Sequence, residues 1–202
     1  MKSIELMTFN IHSAIGRDRK VNVSRIAEVV AQADIVALQE VDNFWERSGN
    51  VSQLEFLKHE LPHHFDAWNP NIDLFKHAKT RRQFGNLLFS RFPILSIKRY
   101  TLPKSAQPAR LGLQCGVLEA IVAAPFGDIR VYATHVLSSD SKAQIRRLME
   151  IYQTSIQEGP PISGSHDDDT WFEEPRLNAV PQMTILLGDL NIRPGSGEYK
   201  MI

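Results

Sequence analysis

The chain has 202 residues and no formal net charge; 43% of its residues are apolar and 23% are charged. This length suits one domain or slightly more, and the composition is that of a globular protein rather than a disordered or fibrous one. No run of about 18 apolar residues is present, so no transmembrane helix is expected.

The N-terminal residues and the cysteine content indicate the cellular compartment of the protein. Met1-Lys2-Ser3 leads into residues 4–7, an apolar stretch too short and interrupted for a signal peptide. The single cysteine, Cys115, excludes an intramolecular disulfide and is typical of a reducing compartment, so we expect a cytoplasmic protein. Because Cys115 lies in an apolar run, it is predicted to be a packed thiol rather than a nucleophile.

The first half of the chain alternates predicted strands and helices. A strand is predicted at residues 4–10 and a helix at 24–32, whose apolar positions recur at helical spacing. The apolar run at 35–39 predicts a strand covered on both faces. A second helix is predicted at 51–61, ending before Pro62.

The second half reads as strands joined by hairpins, followed by the clearest helical pattern. Strands are predicted at 86–90, 94–102, 115–124, 129–135 and 183–187, and a helix at 141–157. Residues 158–182 form a long loop, either functional or disordered. The mixture predicts a layered α/β sandwich rather than a doubly wound parallel sheet.

The charges are unevenly distributed. Residues 76–110 hold nine Lys or Arg and no Asp or Glu, whereas residues 158–174 hold six Asp or Glu and no Lys or Arg. This asymmetry indicates either a basic face for an anionic substrate or loops that carry solvated charge.

Polar residues recur where the predicted apolar strands end. They are Asn10, Glu40, His135, Asp189 and Asn191. Any one of them is most simply a turn or cap former. As a set they supply two carboxylates, two amides and an imidazole, which are hard oxygen ligands and a proton carrier. Magnesium needs only one or two carboxylates because it keeps several waters.

Other common catalytic patterns are missing from the sequence. It has no Cys/His cluster at zinc spacing, no phosphate-binding glycine loop of the Walker type and no G-x-S-x-G elbow. The residues therefore favour metal-assisted hydrolysis of a phosphate ester over acyl transfer.

Five ordered motifs carry a family resemblance. TFNIH (8–12), LQEVD (38–42), GNLLFSRFPI (85–94), ATHV (133–136) and GDLNIRP (188–194) resemble, in order and spacing, the endonuclease/exonuclease/phosphatase superfamily. The resemblance implies a four-layer α/β sandwich of two mostly antiparallel sheets flanked by helices. It also implies a hydrolase that uses Mg²⁺, with Mn²⁺ as a substitute.

The resemblance assigns roles to residues by motif. Glu40 is the main metal ligand, with Asn10 and Asp189 beside it, and Asp189 also orients or deprotonates the attacking water. Asn191 and His135 contact the substrate phosphate or assist the leaving group, and Asn86 braces the site. Arg110 either pairs with the phosphate or is an ordinary surface arginine.

Two features depart from the family pattern. The loop at 158–182 is longer than expected, and its run from His166 to Asp169 either binds a cation or is a solvated loop tip. Family members continue to an Asp-His pair that is missing from the sequence here. We therefore expect a single domain, residues 1–202, that lacks its C-terminal strands and has low activity by itself.

The predicted function is Mg²⁺-dependent hydrolysis of a phosphate ester, with a phosphodiester favoured. The alternative is a truncated, non-catalytic relative that binds phosphate-bearing ligands. DNA, RNA, phospholipids and small phosphate esters all remain open as substrates, and no protein partner is evident. The aromatic residues either stack on nucleic-acid bases or pack internally; they are Phe44, Trp45, Trp68, Phe84, Trp171 and Phe172.

Overall fold

The structure is a computed structural model that describes residues 3–106, 112–159 and 180–202. Three α-helices and eight β-strands are formed within these ranges. The helices are α1 (Val23–Val30), α2 (Gln53–Glu60) and α3 (Ser141–Glu158). The strands are β1 (Leu6–Asn10), β2 (Ile35–Asn43), β3 (Phe65–His77), β4 (Thr80–Ser90), β5 (Ile94–Thr101), β6 (Gly116–Ala124), β7 (Gly127–His135) and β8 (Met183–Asp189).

The strands form two four-stranded sheets. The first has the order β1-β2-β4-β3 and the second β5-β6-β7-β8. In each sheet three consecutive strands are antiparallel and one edge pair is parallel, β1 with β2 and β7 with β8. Each parallel pair is connected by a segment that contains a helix, as a parallel crossover requires.

Three apolar clusters define four layers. The first cluster packs α1 and α2 on the outer face of the first sheet, with Val30 and Leu38 among its members. The second lies between the sheets and includes Leu88 and Val131. The third packs α3 on the outer face of the second sheet, around Ile145. The predicted α/β sandwich of two mostly antiparallel sheets flanked by helices is confirmed.

The helices form where their apolar stripes predict them. In α1, Val23, Ile26, Ala27 and Val30 are buried, which is one face of a helix. The side chain of Asn22 accepts a hydrogen bond from the backbone N–H of Arg25, which caps the first turn. In the described part of the chain, no helix is both long and apolar enough to cross a bilayer.

The hairpin of β3 and β4 differs from the sequence-based prediction. No strand was predicted at residues 65–77, and β4 begins six residues before the predicted start at Asn86. Pro70 and the neighbouring asparagines obscure the strand pattern. Because β3 is an edge strand with a register shift between Pro70 and Ile72, the proline is tolerated.

Cys115 is buried, as predicted for a packed thiol. Burial raises its pKa to about 12, so the reactive thiolate is scarce at neutral pH. We expect Ellman's reagent to leave the native protein unmodified at about pH 8 and to titrate one thiol after denaturation in urea. Rapid labelling of the native protein would contradict this placement.

Candidate active site

The predicted site residues meet where the two parallel strand pairs end. Asn10 is the last residue of β1, and Glu40 lies near the end of the parallel strand β2. His135 and Asp189 are register partners at the ends of β7 and β8. β1 and β8 contact each other across the two sheets. The carboxyl ends of strands from both sheets therefore supply one cluster of polar side chains.

A β-bulge places Glu40 in this cluster. Leu38 pairs with Leu87 and Val41 pairs with Gly85, so Gln39 and Glu40 together lie opposite Asn86 alone. Glu40 has a left-handed backbone, with φ of 59°. Bulges re-aim side chains beside active sites, and here the Glu40 carboxylate joins the cluster while Val41 returns to the core.

Asn10 joins the two carboxylates. Its Nδ2 donates to Glu40 Oε1 at 2.9 Å and to Asp189 Oδ2 at 3.0 Å. Its Oδ1 accepts from the backbone N–H of His12 at 3.1 Å, which fixes the orientation of the amide. The backbone N–H of Asn191 donates to Asp189 Oδ1 at 3.1 Å. One amide thus holds together two like charges that would otherwise repel.

His135 is the buried imidazole of the cluster. Its side chain is 6% exposed, and its Nε2 lies 3.9 Å from both Glu40 Oε1 and Asp189 Oδ2. Burial lowers its pKa, while the two carboxylates oppose that shift and His12 adds to it. Asn191 Nδ2 donates to the backbone carbonyl of Val136 at 2.9 Å, which identifies it as the amide nitrogen. It also lies 3.2 Å from His135 Nε2, which suits a neutral imidazole that accepts at Nε2.

Asn86 lies behind the cluster, between the sheets. Its Nδ2 and the hydroxyl of Thr134 both donate to the backbone carbonyl of Gly116, each at 3.1 Å. Asn86 is thereby tied to the first residue of β6, at the same carbonyl that Thr134, the neighbour of His135 on β7, contacts. Gly188 allows the close approach of β7 and β8, since a Cβ there would lie 2.3 Å from Thr134 O.

The donor set suits a hard divalent cation that keeps part of its water shell. Glu40 and Asp189 expose about a fifth and a third of their side chains, so their oxygens are accessible. Among the described residues, no three His, Cys, Asp or Glu side chains converge as a complete protein cage. Two carboxylates beside an amide are oxygen-rich groups of the kind that a hard divalent cation binds.

The structure brings together Asn10, Glu40, His135, Asp189 and Asn191, and places Asn86 in the layer behind them. Arg110 and the run from His166 to Asp169 lie outside the described residues. The sequence analysis did not single out His12, whose Nδ1 lies 3.5 Å from Glu40 Oε2. Its place two residues after Asn10, inside the first motif, was the available signal.

Several of the basic residues between 76 and 110 form ion pairs in the described part of the chain, so the stretch is not one uniformly unpaired basic surface. Arg81 pairs with Asp73, Arg91 with Asp34, and Lys98 with Glu158.

Comparison with known proteins identifies the family and the fold of this chain. The sequence model of the endonuclease/exonuclease/phosphatase family matches residues 7–202. An endonuclease/exonuclease/phosphatase from Beutenbergia cavernae DSM 12333 is 25% identical, with a TM-score of 0.65 over 98% of this chain and 52% of its own. A search of curated protein sequences gives no match.

Two further solved structures share the fold. A mannosyl-6-phosphatase from Bacteroides thetaiotaomicron VPI-5482 is 17% identical, with a TM-score of 0.62, over 98% of this chain and 69% of its own. The human Nocturnin catalytic domain with bound sulfate is 19% identical, with a TM-score of 0.61, over 98% of this chain and 67% of its own. The chain spans about half of the Beutenbergia protein and about two thirds of these two.

The fold is the two-sheet α/β sandwich shared with these structures. With the family model matching nearly the whole sequence, the chain belongs to the endonuclease/exonuclease/phosphatase family. The family consists of phosphoesterase hydrolases that generally depend on a divalent metal.

Proposed function

We propose that this chain carries the catalytic site of a Mg²⁺-dependent phosphoesterase, with a phosphodiester as the favoured substrate. The observation that carries the proposal is the joining of Glu40 and Asp189 by Asn10. Two carboxylates from separate sheets are brought together at the exposed ends of strands, where ligands of α/β proteins bind. Such a pair is unfavourable without a cation or a proton to share.

Each residue of the cluster has a chemical part in this proposal. Glu40, Asn10 and Asp189 would hold Mg²⁺ or Mn²⁺, which when bound offsets negative charge developing on the phosphate. Asp189 orients the attacking water and takes its proton. When a phosphate binds, the Asn191 amide would exchange its contact with His135 Nε2 for a phosphate oxygen, and His135, once protonated at Nε2, would donate to the phosphate or to the leaving group. Asn86 would brace the site from the layer behind through its hydrogen bond to Gly116.

Metal binding at Glu40 is tested without substrate. Mg²⁺ or Mn²⁺ is expected to raise the Tm of the wild-type protein relative to EDTA, because a ligand of the native state stabilises it. Glu40→Gln keeps the shape, removes the charge, and is expected to abolish most of this rise. Glu28→Gln, on the exposed face of α1, removes the same charge elsewhere and is the matched control. An equal metal-induced shift in all three proteins would remove Glu40 from the site.

The substrate class is tested with a hydrolysis panel. Plasmid DNA, abasic DNA, RNA, sphingomyelin, a sugar phosphate and a chromogenic phosphodiester, each with Mg²⁺ or EDTA, separate the open alternatives. Hydrolysis that requires the metal and Asp189 supports the proposal. Metal-dependent binding of phosphate compounds without turnover would favour the alternative of a non-catalytic phosphate-binding relative.

One further expectation from the sequence, a cytoplasmic location, remains a prediction.

A further inference from the structure

A stack of charged and aromatic side chains follows Glu40 along the chain. The guanidinium carbon of Arg47 lies 4.6 Å from the ring centroid of Trp45 and 5.2 Å from that of Phe84. The guanidinium carbon of Arg82 lies 4.9 Å from the same Trp45 ring. Trp45 Nε1 donates to the backbone carbonyl of Gln83 at 2.7 Å, which fixes the indole on β4. Two cations are thus held on one ring.

Arg47 is held in place by a buried carboxylate. Its Nε and Nη2 donate to the two oxygens of Asp42 at 2.9 and 2.8 Å, and the Asp42 side chain is fully buried. Asp42 raises the pKa of Arg47, and the charge of Glu40 adds to that effect. Arg47 is therefore a permanent cation within electrostatic range of the catalytic cluster. Its Nη1 makes no hydrogen bond within the described residues.

Arg82 has no carboxylate partner in the described part of the chain. It alternates with Phe84 and Asn86 on the face of β4 that turns toward the second sheet, where Leu88 packs. Its Nε is buried and has no hydrogen-bond partner among the described residues. Its neighbour Arg81 lies on the opposite face of β4 and pairs with Asp73 at 2.6 Å.

The charges of the stack do not balance. Arg47 and Arg82 contribute two positive charges, and Asp42 is the only carboxylate paired with either of them in the described residues. Like charges on one indole repel each other, and cation–π contacts of about 0.5–2 kcal/mol each offset that repulsion only in part. Within the described residues Arg47 Nη1 and the Arg82 guanidinium make no hydrogen bond, and free guanidinium N–H groups are suited to contact with a carboxylate or phosphate anion.

We propose that Arg47 and Arg82, arranged on Trp45, form a subsite for a second phosphate group of the substrate, distinct from the phosphate that is cleaved. This inference rests on the proposed phosphoesterase function and extends it to substrates with at least two phosphates. The second phosphate belongs either to the neighbouring nucleotide of a nucleic-acid strand or to a small bisphosphate. Both sources present anionic phosphate oxygens to the guanidinium groups, on a monoanionic diester in a strand and on a largely dianionic monoester in a bisphosphate.

The test compares two adjacent arginines. Arg82→Gln and Arg81→Gln each remove one positive charge from β4, and each keeps a polar stem. Binding of a fluorescein-labelled oligothymidylate is measured by anisotropy in EDTA, where metal-dependent hydrolysis cannot occur. Arg82→Gln is expected to weaken binding about tenfold at low salt. It is also expected to make the negative slope of the logarithm of the association constant against log[salt] shallower by about 0.7–1. Arg81→Gln is expected to change affinity less than twofold.

A second arm distinguishes the source of the phosphate. Inositol 1,4-bisphosphate and inositol 1-phosphate are compared by their effect on Tm in EDTA. A small-bisphosphate source predicts a larger Tm rise with the bisphosphate, lost in Arg82→Gln and retained in Arg81→Gln, together with weak oligothymidylate binding in all proteins. A nucleic-acid source predicts the arginine-specific difference in the first arm alone.

Equal behaviour of the Arg82 and Arg81 variants in both arms would overturn the subsite. If Arg82→Gln does not fold, Arg82→Lys is used in its place. Lysine keeps the positive charge and the aliphatic stem but lacks the planar guanidinium, so about a threefold loss of affinity is expected. The binding arms need no catalysis. Absence of hydrolysis in the substrate panel would therefore refute the proposed function while leaving the arginine comparison interpretable.

Discussion

Asp189→Asn is expected to lower kcat by about 10²–10⁴ on whichever phosphate ester the protein hydrolyses, with KM changed less than threefold. The proposed function assigns to this carboxylate both the orientation and the deprotonation of the attacking water. Its oxygens each accept one hydrogen bond, from Asn10 Nδ2 and from the backbone of Asn191, and about a third of the side chain remains exposed. An amide of the same shape cannot take the proton.

Stability separates this chemical role from a structural one. Asp189 and Glu40 share the amide of Asn10, so removing one charge relieves repulsion in the metal-free protein. We therefore expect the Tm of Asp189→Asn in EDTA to lie within about 3 °C of the wild type. Asp128→Asn, at the start of β7 and so at the opposite end of that strand from His135, removes the same charge and serves as the control. Comparable activity of both variants, measured by steady-state kinetics, would assign the catalytic base elsewhere.

The sequence predicts the site better than it predicts the surrounding strands. Asn10, Glu40, His135, Asp189 and Asn191 could be found because each follows an apolar run and lies in a recognisable motif. Their mutual geometry could not be predicted, since Asn10 and Asp189 are 179 residues apart and meet only through the packing of two sheets. The bulge that orients Glu40 is a property of the pairing of β2 with β4 and leaves no local signal.

Sequence patterns predict some elements of this fold and miss others, for physical reasons. The sequence patterns predict α1 and α3, which bury one apolar face, and β6 and β7, which lie between two apolar layers and form continuous apolar runs. β3 lies at a sheet edge, with alternation broken by Pro70 and a register shift. The stack of Trp45 with Arg47 and Arg82 also escapes sequence reasoning, because its members come from a loop and from the start of β4.

The largest effect on stability is expected away from the active site, at a buried ion pair in the second sheet. Arg130 and Glu119 expose 1% and 4% of their side chains, and Arg130 Nε lies 3.2 Å from Glu119 Oε1. The Tyr100 hydroxyl donates to Glu119 Oε2 at 2.8 Å, and burial together with this bond raises the pKa of Tyr100. Arg130 Nη2 donates to the backbone carbonyl of Ser155 in α3.

Glu119→Gln is expected to destabilise the protein by about 3–5 kcal/mol, because it leaves the Arg130 guanidinium buried without a counter-charge. Arginine cannot become neutral by losing its proton, and Nε and Nη1 of Arg130 have no well-aligned hydrogen bond in the described residues. The corresponding fall in Tm is about 6–20 °C for a domain of this size. Urea unfolding followed by circular dichroism measures the free energy of unfolding directly.

A double variant distinguishes loss of charge balance from loss of packing. Glu119→Leu combined with Arg130→Met replaces both charged side chains with apolar, somewhat shorter ones, and apolar replacements of buried pairs are often close to neutral. The Tyr100 hydroxyl and the Ser155 carbonyl then lose partners, at about 1–3 kcal/mol each at most. The double variant is nevertheless expected to be more stable than Glu119→Gln alone, because no uncompensated charge remains between β6, β7 and α3. A double variant less stable than the single one would show that hydrogen bonding and packing, rather than charge balance, hold α3 on the second sheet.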